Sequence, residues 1–280
     1  MSRREEILAK SASDRYLPPS RLELLRILQD PDASAATLTR AIECDPTLTA
    51  NVLRLANSAY FGFPRSVASV ADAVWRLGTR NLRQLVLATT FSPMQKQAVK
   101  GYDLPAGDLL RHSVAVAVGA ETLSRLLDVP ACDHLFTAGI LHDIGKIALG
   151  TFVELDAAPI LELATREGLP FVEAEQRILG IDHAELGAFL ADRWNLPDEV
   201  VEIVRWHHEP EKFSGRNPAG DLVHVADALC ILGGIGIGTD GLRYRPSEEV
   251  CARLGLTETA TEQALSMILL GLEDLEGAFS

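Results

Sequence analysis

Seven side chains of metal-binding type stand in apolar surroundings. Within GILHDIGKIAL, residues 139–149, His142 and Asp143 sit side by side in an otherwise apolar run, and Lys146 follows three residues later. His112 opens HSVAVAVGAETLSRLL, where positions 112, 116, 119, 123 and 126 share one helical face that is otherwise Val, Gly and Leu, so His112 points inward. His183 lies in line with Leu186, Leu190 and Trp194 and belongs to a second buried stripe. Pro197 and Pro210 bracket PDEVVEIVRWHHEP and leave His207 and His208 in the last turn of a helix. Asp227 falls within LVHVADALCIL, which offers it no cation; burying a carboxylate unpaired costs several kcal/mol, so a positive group must lie near it.

Each residue alone has an ordinary explanation. A single inward histidine is more often a hydrogen-bonded core residue than a ligand, Asp227 could cap or pair with an arginine, and a terminal His-His pair can satisfy helix carbonyls. Together they carry more weight, because neutral imidazole with carboxylate is the ligand set for Zn, Mn, Fe or Ni. The expectation is one or two divalent transition-metal ions held among His112, His142, Asp143, His183, His207, His208 and Asp227. On a helix His142 and Asp143 would project about 100° apart, so both reach one ion set over the groove. Asp143 and Lys146 are the candidate catalytic residues: Lys146 lies on the same side as Asp143, where its ammonium could meet a phosphate oxygen or the conjugate base of a metal-bound water. Gly139 and Gly145 would admit close approach of other helices or a ligand.

The elements that must position these groups read as helices throughout. SRLELLRILQD carries Leu22, Leu25 and Leu28 on one side; Ser34 is an expected N-cap, Pro46 opens a helix, and Gly78 separates two more. Further helices are expected near 108–127, 133–149, 155–167, 171–179, 182–194, 197–209 and 219–232, with two more at the C-terminal end. No stretch shows sustained strand alternation, so the fold class is all-α. The looser SPMQKQAVKGYDLPAGD marks a lobe boundary, giving a tail at 1–16, an N-terminal lobe at 17–100 and a metal-binding lobe at 101–280. GGIGIGTDG, residues 233–241, is a loop and no phosphate cradle, since no Lys-Ser/Thr follows it.

Composition narrows the function. The 280 residues, 47% hydrophobic, suffice for a sizeable core. The net charge of −13 is uneven: residues 1–100 hold 14 Lys and Arg against 9 Asp and Glu, leaving the remainder at −18. That remainder should repel duplex DNA, and SAATLTRAIECDPTLTANVLRLANS, which could be read as helix-turn-helix, carries Glu43 and Asp45 and few cations. Arg76, Arg80 and Arg83 form a small basic stripe, more simply a solvated face than a site for phosphate or an acidic partner. Cys44, Cys132, Cys230 and Cys251 lie far apart, which fits a reducing cytoplasm, and the N-terminus lacks a signal-peptide core; no membrane association is expected.

The order His112, His142-Asp143, Asp227 resembles the H…HD…D pattern of the HD superfamily of metal-dependent phosphohydrolases. His183 and His207-His208 resemble the additions of its two-metal HD-GYP branch. That resemblance implies one ion on His112, His142, Asp143 and Asp227 and a second on Asp143, His183, His207 and His208, with Asp143 bridging. DPTLTANVLRLANSAYFG, SVASVADAVWRLGTRNLRQLVL, HSVAVA and AGILHDIGKIAL are similar to the HDOD domain, an HD-related bacterial signalling module, over nearly residues 17–230. The resemblance implies a regulatory module that engages a signalling protein partner or senses a phosphate-bearing small molecule, with an active metal-dependent phosphohydrolase as the alternative. HHE stands at 207–209, but the GYP segment that follows it in HD-GYP enzymes is absent, which argues against cleavage of a cyclic dinucleotide.

Overall fold

The structure, a computed structural model, describes residues 2–12, 19–30, 32–130, 132–241 and 244–279. Among these it is all-α, as the three-to-four residue period requires, and Val99 and Leu104 pair only as an isolated bridge. The helices are α1 (Arg3–Ser11), α2 (Pro19–Gln29), α3 (Ala35–Glu43), α4 (Pro46–Ala56), α5 (Val70–Gln95), α6 (Asp108–Leu126) and α7 (Leu135–Leu141). They continue as α8 (Gly145–Glu167), α9 (Phe171–Leu179), α10 (His183–Arg193), α11 (Asp198–Trp206), α12 (Pro218–Leu232), α13 (Glu248–Leu254) and α14 (Glu258–Phe279).

Local chemistry sets these boundaries. Ser34 and Asp45 cap α3 and α4 by accepting from the Thr37 and Leu48 amides, and Pro46 occupies the first turn of α4. Gly78, at φ 77° and ψ 165°, interrupts α5, so the two helices expected on either side of it abut with no linker. α6 is apolar on nearly every side and forms the centre of the molecule, packed against α7, α12 and α14. α14 also reaches α4, tying the end of the described chain to its early helices.

Three sequence expectations change. Residues 1–16, expected as a tail, contain α1, whose Ser2 and Glu5 form a reciprocal cap; Ile7 is fully buried and Arg3 pairs with Asp156 at 2.7 Å on α8. The basic stripe is engaged within the fold: Arg76 pairs with Asp72 at 2.7 Å, Arg80 with Asp133 at 3.1 Å, and Arg83 donates to the Leu28 carbonyl at 2.7 Å. The helix expected over 133–149 breaks at residues 142–144, and α8 then runs through the start expected at 155. Among the described residues no helix is long and apolar enough to cross a membrane.

Candidate metal centre

The break between α7 and α8 builds the site. The Ile144 amide donates to the Leu141 carbonyl at 3.0 Å and that of Lys146 to Asp143 at 3.0 Å, three-residue bonds that tighten the backbone. His142 and Asp143 therefore sit in a turn between two helices and not on one helix face. Two glycines bring this turn against its neighbours. A Cβ on Gly139 would lie 2.5 Å from Ala117 Cα on α6, and one on Gly145 would lie 1.9 Å from the His183 carbonyl oxygen on α10. Both expected close approaches are present.

Four histidines are aimed by their outer nitrogens. Nδ1 donates to the Ile235 carbonyl from His112 (3.0 Å), to Gly139 from His142 (2.8 Å) and to Val204 from His207 (2.8 Å). In His183 the partner is the Glu175 carboxylate, at 2.8 Å. Since carbonyls and carboxylates only accept, Nδ1 carries the hydrogen and Nε2 is left to face inward as a potential ligand. The four Nε2 atoms converge on Asp143 from two sides. His183 and His207 approach its Oδ1 at 3.3 and 3.7 Å, whereas His142 and His112 approach its Oδ2 at 3.3 and 3.6 Å. Asp227 joins the second side, 3.0 Å from His112.

The ligand atoms form two groups, each within 4.8 Å: Asp143, His183, His207 and His208, and His112, His142 and Asp227. The structure thus brings together all seven residues singled out from the sequence. Their unpaired atoms fit a cation. Asp143 Oδ1, His207 Nε2, His208 Nδ1 and Asp227 Oδ2 are buried without hydrogen-bond partners. Nε2 of His183 lies 2.9 Å from that of His208, and Nε2 of His142 lies 3.3 Å from that of His112; in the His142–His112 pair both Nδ1 atoms donate elsewhere, so two lone pairs that close require a positive charge between them.

Electrostatics point the same way. Burial pushes His207 down to about 4, and burial with the neighbouring His207 and His183 pushes His208 well below its ordinary value, so both imidazoles are neutral and ligand-ready near pH 7. Burial opposes charge on His183, but the Glu175 and Asp143 carboxylates prevail and hold it up to about 10. Burial would raise Asp143, yet Lys146 and His142 hold it well below the usual carboxylate range; Asp227, despite burial, is held down to about 2 by His112 and His142. Protons on imidazole and metal ions are alternative sources of the positive charge these carboxylates demand.

Lys146 is placed differently from the expectation that it faces a ligand. It is buried and paired with two carboxylates, Asp143 and Asp240. Asp240 was missed because it lies in the Gly-rich loop, where no periodicity marks a direction. Glu175 was also missed, although it shares a helical face with Phe171 and Leu179, the pattern that exposed His112 and His183. His224 stays outside the cluster, donating from Nδ1 to the carbonyl of His207 at 2.6 Å.

A cavity of about 590 Å³ reaches the cluster at His208 and Tyr244, whose rings meet edge to face at 4.8 Å. Its walls carry Trp206 with the cations Arg205, Lys212 and Arg245 and the acids Glu173, Asp182, Glu185 and Glu209. The arrangement can admit a small polar molecule to the group of ligands that contains His208.

The fold is all-α, with imidazoles and carboxylates converging where its helices meet. The HDOD domain model matches residues 16–210. The chain belongs to the HDOD family. Asp227 lies beyond the matched region and enters the site from α12. The chain is 27% identical over 216 residues to an uncharacterized protein of Treponema pallidum, covering 74% of this chain and 41% of that one, so it spans about two fifths of that relative's length. It is 28% identical over 173 residues to ribonuclease Y of Thermus thermophilus, covering 62% of this chain and 22% of the relative. Among solved structures, an HDOD domain protein from Geobacter sulfurreducens superposes with a TM-score of 0.73 at 25% identity, covering 98% of this chain and 93% of that one. A candidate phosphohydrolase from Shewanella amazonensis SB2B superposes with a TM-score of 0.67 at 26% identity, covering 94% and 97%.

Proposed function

We propose that the chain is a regulatory HDOD module built on a centre for one or two divalent transition-metal ions, and that it binds a phosphate-bearing small molecule through the cavity at His208. The observation that carries this reading is the division of Asp143, with Oδ1 facing one pair of histidines and Oδ2 the other. His112, His142, Asp143 and Asp227 would hold one ion, and Asp143, His183, His207 and His208 the other. Bound there, the ions would supply Lewis-acid polarisation of a phosphoryl oxygen. The chain does the rest. Glu175 and the Ile235, Gly139 and Val204 carbonyls fix the imidazoles, Lys146 steadies Asp143, and Arg205 or Arg245 on the cavity wall would pair with a phosphate oxygen.

A second reading, hydrolysis of that ligand, is favoured by the completeness of the ligand set. The resemblance to a candidate phosphohydrolase and to ribonuclease Y supports it, with Asp143 and Lys146 as the residues that would carry it. The absent GYP segment makes a cyclic dinucleotide a poor substrate.

Elemental analysis tests the central claim. Protein from cells grown with added Mn, Fe and Zn should carry at least one ion per chain. Substoichiometric metal under all three conditions would overturn it.

A further inference from the structure

We infer that Asp240 is an internal stand-in for an anionic ligand: it occupies Lys146, and a phosphate group must displace it, releasing the loop at 233–241. The inference rests on the phosphate-ligand reading above and adds to it the residue that regulates the site.

Lys146 is 4% exposed, so its ammonium must be matched by neighbouring charge. Three groups face it: the carboxylates of Asp143 and Asp240, and the ring of Tyr102, whose centroid lies 5.7 Å away. Asp143 is also the carboxylate on which four imidazoles converge, so it cannot leave without dismantling the cluster. Asp240 has no such obligation. It belongs to a loop and contributes to neither group of ligand atoms. Exchanging its carboxylate for a phosphate oxygen keeps Lys146 paired and leaves the buried charge balanced.

The loop is built to yield. Gly234 and Gly236 adopt left-handed φ values of 79° and 62°, which only glycine takes without strain, and Ile237, between them and Asp240, is 47% exposed. The Thr239 hydroxyl, next to Asp240, is buried without a partner, so the closed loop leaves one polar group unsatisfied. The opposite end is tied to the centre, because the Ile235 carbonyl accepts from His112 Nδ1. Displacing Asp240 would free the far end of the loop while Ile235 stays anchored, giving a ligand-dependent change at the surface near Ile237.

The test uses inorganic phosphate as probe, with the metal-loaded full chain and Asp240→Asn. Calorimetry gives affinity, and amide hydrogen exchange follows residues 233–241. A latch closed about nine-tenths of the time lowers apparent affinity about tenfold, so Asp240→Asn should bind phosphate about tenfold more tightly. In the wild type, saturating phosphate should speed exchange in the loop; in the variant, exchange should already be fast and should not respond. Equal affinities in two proteins of equal metal content would overturn the proposal. So would an unresponsive wild-type loop at saturation, a result that holds even should the variant misfold. Phosphate bound without loop response sinks the latch alone, whereas no phosphate binding by either protein sinks the phosphate-ligand reading and the latch with it.

Discussion

The buried hydroxyls of α5 and the buried imidazoles and carboxylates of α6–α12 find their partners differently. In α5 the hydroxyls of Thr90 and Ser92 donate to carbonyls three or four residues back, Val86 at 2.7 Å and Thr89 at 3.3 Å. These groups are satisfied by the helix that carries them. From α6 to α12 the partners lie far apart in sequence: His112 meets Asp227 across 115 residues, and several of the atoms brought together have no hydrogen-bond partner. Local satisfaction gives structure and nothing more, whereas distant convergence with open lone pairs gives a site. Gln95 joins the two regions, donating from the end of α5 to Ser113 at 2.9 Å and to the Ile140 carbonyl at 2.6 Å.

The contrast breaks hardest at Asp143. Asp143→Ala removes a ligand from both groups and one of the two carboxylates paired with Lys146, so it should abolish metal content and destabilise the fold by about 3–5 kcal/mol. Elemental analysis and thermal melts check both, and a variant that melts like the parent with neither protein holding metal would reduce the cluster to a core network.

Chelation should act on one region only. Stripping ions held at about 100 times their Kd should cost about 2.7 kcal/mol, and hydrogen exchange should rise in α6–α12 with little change in α2–α4. Uniform loss of protection would show that the regions are not energetically distinct.

Acid should sharpen the contrast in metal-free protein. His207 is held at about 4 and His208 also below the ordinary 6.5, so between pH 6.5 and 5 these two positions bind more protons in the unfolded chain than in the folded one, opposing His183, whose charge favours the fold. The stability these two contribute is therefore present above 6.5 and is lost as pH falls. The melting temperature should drop across that window, and His207→Gln should flatten the drop.

The smallest effect belongs to the first region. Gly78→Ala forces a side chain into a conformation that glycine alone adopts readily and should cost about 1–3 kcal/mol, with no clash, since a Cβ there meets nothing within 4 Å. Metal content should stay at the wild-type level; loss of metal would couple the two regions more tightly than their packing indicates.

Helical periodicity made much of this centre readable in the sequence. His112 and His183 were visible because a polar residue on an apolar stripe must face inward, and Glu175 obeys the same rule on a shorter helix. Asp227 was visible through the absence of a cation beside it in the sequence, and the fold sets it against His112 of α6. The break after Leu141 was not readable, since the apolar run continues across it and only the glycine contacts with α6 and α10 dictate the turn. Nor was Asp240, whose position depends on a loop that no propensity directs. The N-terminal segment was read as a tail because one short helix with a single fully buried Ile gives little periodic signal.

The way the imidazoles are anchored bears on how such a centre drifts over evolutionary time. Three of the four outer nitrogens hold on to main-chain carbonyls, at Gly139, Val204 and Ile235. A main-chain oxygen persists whatever side chain the position encodes, so substitution at Val204 or Ile235 does not remove the anchor itself. His183 alone depends on a side chain, the Glu175 carboxylate. Among diverging copies of this chain the support of one imidazole is therefore heritable in a way the other three are not, and decay of the centre by mutation of its supports has its most direct point of entry on α9.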